Sequence, residues 1–181
     1  MTFPNWFNYV EPFFSRNLPK DLPLRVLQIG AYTGDATAWL LENREIEFID
    51  DVDTWGGSEE ASHESIDFGA VEDYYDSRFE DNPKVTKFKM TSDNFFPAGS
   101  GARYNFIYID GDHTALQTAL DGLNAFKMLE YGGIMAFDDY QWNYNGNPFL
   151  EPKRGVDAFL SVCDGNYALL DSGYQIWIKK C

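Results

Sequence analysis

Apolar positions fall into short unbroken runs separated by longer stretches with helical spacing. Leu24–Ile29 (LRVLQI), Ile46–Val52 (IEFIDDV) and Tyr104–Ile109 (YNFIYI) have the length and the β-branched and aromatic content of strands covered on both faces. Lys84–Met90 (KVTKFKM) alternates as a third strand, and Ile134–Phe137 predicts a further buried one. Between them, Ala36–Asn43 predicts a helix, as do Phe68, Val71, Tyr74, Tyr75 and Phe79. Thr114–Glu130 places Leu116, Ala119, Leu120, Leu123, Phe126 and Leu129 at helical spacing, with Gly132-Gly133 as its stop. Lys153–Cys163 predicts a last helix, and Tyr167–Leu170 with Tyr174–Ile178 a closing antiparallel hairpin around Asp171-Ser172-Gly173. Residues 1–23 are aromatic and proline-punctuated; Trp6, Phe7, Val10, Phe13 and Phe14 predict a short helix packed on the domain, with a lid over a substrate as the alternative. The order predicts one α/β domain over residues 24–181 with a mostly parallel sheet, and no repeat or linker interrupts it.

The strand–helix–strand unit from Tyr104 to Phe137 predicts a right-handed crossover between parallel strands. Both strands then end at one sheet edge, where open α/β sheets bind ligands. That edge receives Asp110, Asp112 and His113 from one strand and Asp138 and Asp139 from the other. Converging carboxylates repel, so one protonates or a cation neutralises them. The first strand runs into Gly30-Ala31-Tyr32-Thr33-Gly34-Asp35 and then a helix. Glycine there lets a backbone approach a nucleotide-like ligand, and the helix start offers free N–H groups. The spacing is neither the dinucleotide fingerprint nor the phosphate-loop pattern. An acid at the end of the second strand, about 20 residues past the glycine turn, commonly accepts ribose hydroxyls; Asp50, Asp51 and Asp53 are the candidates. Of the two histidines, His113 stands at the edge and suits a general base, whereas His63 lies in a polar loop. The polar and aromatic stretch Gln141–Pro152 leaves the same edge and has the composition of a pocket-shaping loop.

At 181 residues, 44% hydrophobic and 17% aromatic, the chain can bury one substantial core. A formal net charge of -15 argues against nucleic-acid partners, since phosphates are repelled, and suits a small-molecule ligand or a divalent cation. Two cysteines, Cys163 and Cys181, make neither a disulfide framework nor a metal motif, so a reducing cytoplasm is expected. No apolar run reaches the roughly 20 residues a bilayer requires, and the first residues lack the basic start of a signal peptide.

VLQIGAYTGDATAWLL, DTWGGSEE, YIDGDH and EYGGIMAFDDY together resemble class I S-adenosylmethionine-dependent methyltransferases, in particular the small O-methyltransferase-like type 24 group; macrocin-type sugar O-methyltransferases and cephalosporin-hydroxylase-like proteins are more distant. The resemblance covers roughly residues 24–180 and implies a Rossmann-like class I methyltransferase fold with a seven-stranded, mostly parallel sheet and a C-terminal antiparallel hairpin. It implies S-adenosyl-L-methionine as cofactor. Gly30, Ala31, Tyr32, Thr33 and Gly34 would hold its methionine part, Asp53 (with Asp50 as runner-up) its ribose and Ser92 its adenine, with Asp110 beside the sulfonium. It further implies a divalent cation, Mg²⁺ by its oxygen ligands, on Asp110, Asp138 and Asp139. The implied reaction is methyl transfer to a hydroxyl of a small molecule or sugar, with His113 and Asp110 catalytic. The alternatives are a non-catalytic nucleotide- or sugar-binding protein and a metal-dependent enzyme of the hydroxylase-like kind. The short N-terminal segment offers little lid material, which leaves a second subunit, and so a homodimer, to complete the site.

Overall fold

A computed structural model of the chain describes residues 3–57, 65–98, 101–143 and 146–181. Seven strands form one sheet in the order β3-β2-β1-β4-β5-β7-β6. They are β1 (Leu24–Ile29), β2 (Ile46–Asp53), β3 (Val85–Lys89), β4 (Tyr104–Ile109), β5 (Leu129–Phe137), β6 (Tyr167–Ser172) and β7 (Ile176–Lys180). The first five run parallel. β7 runs against β5 and β6 against β7. The helices are α1 (Phe7–Asn17), α2 (Asp35–Asn43), α3 (Phe68–Phe79), α4 (Ser92–Ala98), α5 (Ala115–Met128) and α6 (Pro152–Val162). None of the described helices is long and apolar enough to cross a membrane. His63 and the polar stretch around it, residues 58–64, fall outside the described residues.

Side chains alternate across each strand, so the sheet has two cores. Leu27, Ile29, Ile107, Ile109, Met135 and Phe137 face α4, α5 and α6, where they meet Phe95, Ala125, Val156 and Phe159. Val26, Phe106, Tyr108, Ala136 and Trp177 face α1 and α2 and meet Phe14 and Leu40. Phe14 is fully buried, its ring edge-on to Phe106, Tyr108 and Trp177 at 5.6, 4.9 and 5.2 Å between centroids. Through Phe14, Val10 and Leu18 the N-terminal segment contributes to this core.

Two expectations change. Gly132-Gly133 does not stop α5, which ends at Met128; the pair lies inside β5, where the register with β4 jumps from Tyr104↔Leu129 to Phe106↔Ile134. Gly132 takes φ +80, so the glycines make an irregularity in the strand rather than a cap. The buried face of α5 is also not the leucine stripe. Leu116 and Leu120 are exposed, and Thr118, Asp121, Gly122 and Ala125 face inward. The reason is close approach: a Cβ on Gly122 would lie 2.9 Å from the Phe137 ring, and one on Gly155 of α6 would lie 2.3 Å from the Ala115 carbonyl oxygen. Large side chains cannot stand where the helix backbone meets its neighbours.

The chain winds outward from β1 through β2 to β3, then returns to place β4 on the other side of β1. The reversal between β1 and β4 is the switch point, where side chains of both winding directions leave a crevice.

Candidate active site

At the switch point the backbones after β1 and β4 touch. Asp110 N–H donates to the Ile29 carbonyl at 2.8 Å, and Asp138 N–H to the Ile109 carbonyl at 2.9 Å. Gly30 takes φ +88, and a Cβ there would stand 1.8 Å from the Asp110 carbonyl oxygen. The turn that follows is held from all sides. Gln28 donates its amide to the Gly30 carbonyl at 2.9 Å. Asp53 Oδ2 accepts the N–H groups of Ala31 and Tyr32, each at 2.8 Å, and its Oδ1 accepts Trp55 N–H at 2.7 Å. Trp55 Nε1 donates to the Tyr32 carbonyl at 2.9 Å, and Arg78 donates to the Thr33 carbonyl at 2.8 Å. Gly34, at φ +76, caps α2. Tyr32 and Trp55 both adopt left-handed backbone, φ +49 and +47, which bulky residues hold only where surroundings dictate it.

Beside this turn lies a cleft of about 50 Å³ lined by Gly30, Ala31, Tyr32, Thr33, Gln28, Tyr108 and Asp110, with Trp6 and Phe7 on its outer side. Trp6 leans on the Tyr32 ring at 4.8 Å. The N-terminal segment thus contributes both to the core, through Phe14, and to the wall of the cleft.

The ribose candidates separate. Asp50 is buried and accepts the Tyr104 hydroxyl at 2.7 Å. Asp51 is fully buried on the opposite face, where its Oδ2 accepts Thr37 and Tyr75 hydroxyls, each at 2.7 Å. Burial pushes Asp51 up to about 7, opposed by those two hydroxyls and assisted by the charges of Asp53 and Asp50. Asp53 alone stands beside the glycine turn. Three backbone N–H groups occupy it, so with two lone pairs per oxygen Oδ1 retains one for a ligand hydroxyl. Ser92, at the start of α4, is not among the residues that line the cleft and accepts Gln117 Nε2 at 3.1 Å. Asp112 shapes the turn into α5, accepting Thr114 N–H at 2.6 Å.

The acids after β4 and β5 divide: Asp110 and Asp139 meet at His113, whereas Asp138 turns to Tyr108 and Gln175. Asp138 Oδ2 accepts the Tyr108 hydroxyl, while Oδ1 accepts Gln175 Nε2 at 3.1 Å and Asp139 N–H at 2.8 Å. Asp139, at φ +54, turns the other way. Its Oδ1 accepts the Tyr174 hydroxyl, and its Oδ2 lies 2.9 Å from His113 Nε2. His113 Nε2 is also 3.9 Å from Asp110 Oδ1, and its ring leans on Trp142 at 4.9 Å. Burial and then the Asp138 charge hold Asp110 well above the usual carboxylate range, against the pull of His113. About a third of the Asp110 side chain (34%) still reaches solvent, so water limits that rise. Burial acts to raise Asp139 too, but the hydrogen bond and charge of His113 with the Tyr174 hydroxyl leave it below its ordinary value. Burial and the neighbouring Asp139 charge raise Asp138.

A divalent cation, implied by the resemblance, finds donors here. Asp110, His113 and Asp139 each offer an atom within 4.8 Å of the others. Two carboxylates and an imidazole suit a hard or borderline divalent ion. Asp138, expected as a ligand, is not part of that group; its oxygens accept from Tyr108, Gln175 and the Asp139 N–H. Sequence reasoning passed over Gln28, Tyr108, Tyr174 and Gln175. Gln28, an amide among the apolar residues that end β1, was the one with a signal.

The model of a family described as a methyltransferase domain matches residues 27–140, from within β1 through the paired acids. The chain belongs to that family, among the class I S-adenosylmethionine-dependent methyltransferases. Solved structures share the fold at low identity. The N-methyltransferase NodS from Bradyrhizobium japonicum WM9 superposes with a TM-score of 0.64 at 11% identity, over 96% of this chain and 93% of that one. The O-methyltransferase from Bacillus cereus in complex with SAH gives 0.64 at 16% identity, over 97% and 90%. The O-methyltransferase NovP gives 0.63 at 17%, over 94% and 76%. A search of curated proteins finds no match.

Proposed function

We propose that the chain transfers the methyl group of S-adenosyl-L-methionine to a hydroxyl of a small molecule or sugar. The observation that carries this reading is the switch-point cleft of a methyltransferase-family chain, lined by Gly30–Thr33 of the glycine turn and by Asp110 after β4. Of the fold's neighbours, those named O-methyltransferases support oxygen as the nucleophile. Asp53 takes one ribose hydroxyl through the free lone pair of Oδ1, and Ser92 lies on the adenine side. Asp110 faces the place of the sulfonium, whose positive charge would favour the ionised form of its carboxyl group against the burial that raises it.

In the reaction the acceptor oxygen bonds to the methyl carbon as the carbon–sulfur bond breaks. The sulfur keeps the electron pair and leaves as neutral S-adenosylhomocysteine. The hydroxyl proton passes to the His113–Asp139 pair, held together at 2.9 Å. Most of the acceleration comes from holding oxygen, carbon and sulfur in line. Asp110 and Asp139 would hold a divalent cation, which when bound lowers the acceptor's pKa. Trp142, packed on His113, gives the acceptor a flat apolar wall.

Isothermal titration with S-adenosylmethionine and S-adenosylhomocysteine, followed by transfer of labelled methyl to a panel of hydroxylated acceptors with Mg²⁺ or with EDTA, tests the reading. Binding of both and transfer to oxygen are expected, with His113→Ala lowering turnover at least about 10²-fold at nearly unchanged cofactor affinity. Absence of cofactor binding would sink the proposal. Binding without transfer to any acceptor would favour a non-catalytic binding protein.

A further inference from the structure

The antiparallel end of the sheet brings to the acidic edge two side chains that the parallel strands cannot supply. β7 runs against β5 with Ile176 opposite Phe137, so the turn before β7 lies next to Asp138 and Asp139. The turn is fastened there: Tyr140 N–H donates to the Tyr174 carbonyl at 2.9 Å. Its two side chains then diverge. Gln175 is fully buried; Trp177 Nε1 donates to its Oε1 at 2.8 Å, which aims the amide nitrogen at Asp138 Oδ1, 3.1 Å away. Tyr174 reaches outward and gives its hydroxyl hydrogen to Asp139 Oδ1.

The result is a sorting of two adjacent carboxylates. Asp138 is drawn back between Gln175 and Tyr108. Asp139 is turned by its left-handed backbone, φ +54, so that Oδ1 is fixed by Tyr174 and Oδ2 faces His113 and, beyond it, Asp110. A carboxylate is free to rotate about its terminal bond, and His113 holds only one of its oxygens. The second contact, from Tyr174, fixes the plane. We propose that Tyr174 is a positioning residue of this site, acting through Asp139 to set the orientation of the His113 imidazole, with Gln175 holding the partner acid out of the way.

For turnover the inference rests on the methyl-transfer reading, but its geometry is tested without any substrate. The chain has two histidines, so ¹⁵N-labelled imidazole spectra contain two rings, and His63→Asn assigns the other to His113. Tyr174→Phe removes one oxygen from a partly exposed ring and leaves the fold in place, verified by its melting temperature and amide spectrum. In the native chain the His113 Nε2 proton is expected to be protected from exchange by Asp139, and Asp139→Asn is expected to abolish that protection. In Tyr174→Phe the His113 ring signals should move toward those of a free imidazole, with exchange of the Nε2 proton faster by about tenfold, the weight of one hydrogen bond to a charged group. S-adenosylmethionine affinity should stay unchanged and, with an acceptor in hand, kcat should fall while the cofactor KM does not. His113 signals in Tyr174→Phe that coincide with those of the native chain would overturn the proposal. A failure of the methyl-transfer reading would leave the spectra as expected and remove only the kinetic effect.

Discussion

Gly30 shows how one residue can serve both fold and site. Its φ of +88 is open to glycine at little cost, and the absence of a Cβ lets the Asp110 carbonyl come close enough that β1 and β4 end side by side. From the sequence, a bulky residue here is expected to abolish cofactor binding. The geometry adds a prior consequence. In Gly30→Ala the new methyl carbon would lie 1.8 Å from backbone that is itself hydrogen-bonded to Ile29, so strands must part. Backbone strain and overpacking together are expected to cost roughly 2–5 kcal/mol of folding stability. Urea unfolding without cofactor measures it; a variant as stable as the native chain would mean that the switch point is looser than described.

At the scale of elements, α1 makes the sharpest claim. It carries Phe14 into a nest of Phe106, Tyr108 and Trp177, and Trp6 and Phe7 to the cleft wall. Phe14→Ala is expected to lower stability by about 3–5 kcal/mol, the range for emptying a buried aromatic site, and to weaken cofactor binding because the cleft wall hangs from the same helix. Denaturation and titration of one sample check both; a loss below about 1 kcal/mol would show that α1 is only draped on the domain. Most elements were legible because burial on both faces leaves unbroken apolar runs: β1 and β4 fall on the predicted residues, and β2, β3, α2, α3 and α6 within one residue at either end. The stretch Ser92–Ala98 gave little sign of being helical, since it is short and contains Pro97. The inward face of α5 misled because contact there is made through Gly122 and Gly155, and periodicity registers large side chains rather than their absence. At the site, the acids were legible by their place at strand ends. Their division was not, because it is made by Tyr174 and Gln175, some 35 residues later in the chain and on a hairpin whose turn has no chemical signature.

Across the whole molecule the same acidity that organises the edge sets a pH dependence. The chain carries 29 acidic residues against 14 Lys and Arg, and several acids are held above their ordinary range by burial. Asp51 is raised to about 7 and Asp121, on the inner face of α5, to about 6. The folded state therefore keeps protons that the unfolded chain releases near pH 4. The stabilisation is complete below that pH and is lost as pH rises through about 6 to 7, because above it each buried carboxylate must either ionise in place or stay protonated at a cost. Self-repulsion of the net charge acts in the same direction. Stability measured by urea unfolding is expected to fall between pH 5 and pH 8. Asp51→Asn separates the local cause from the global one. The amide cannot ionise, while its oxygen can still accept from Thr37 and Tyr75, so its stability should be lower at pH 5 yet change less between pH 5 and pH 8 than that of the native chain. A slope equal to the native one would place the pH dependence in the surface charge and remove Asp51 from it; a smaller slope that persists at high salt, where surface repulsion is screened, assigns it to the carboxylate buried between β2, α2 and α3.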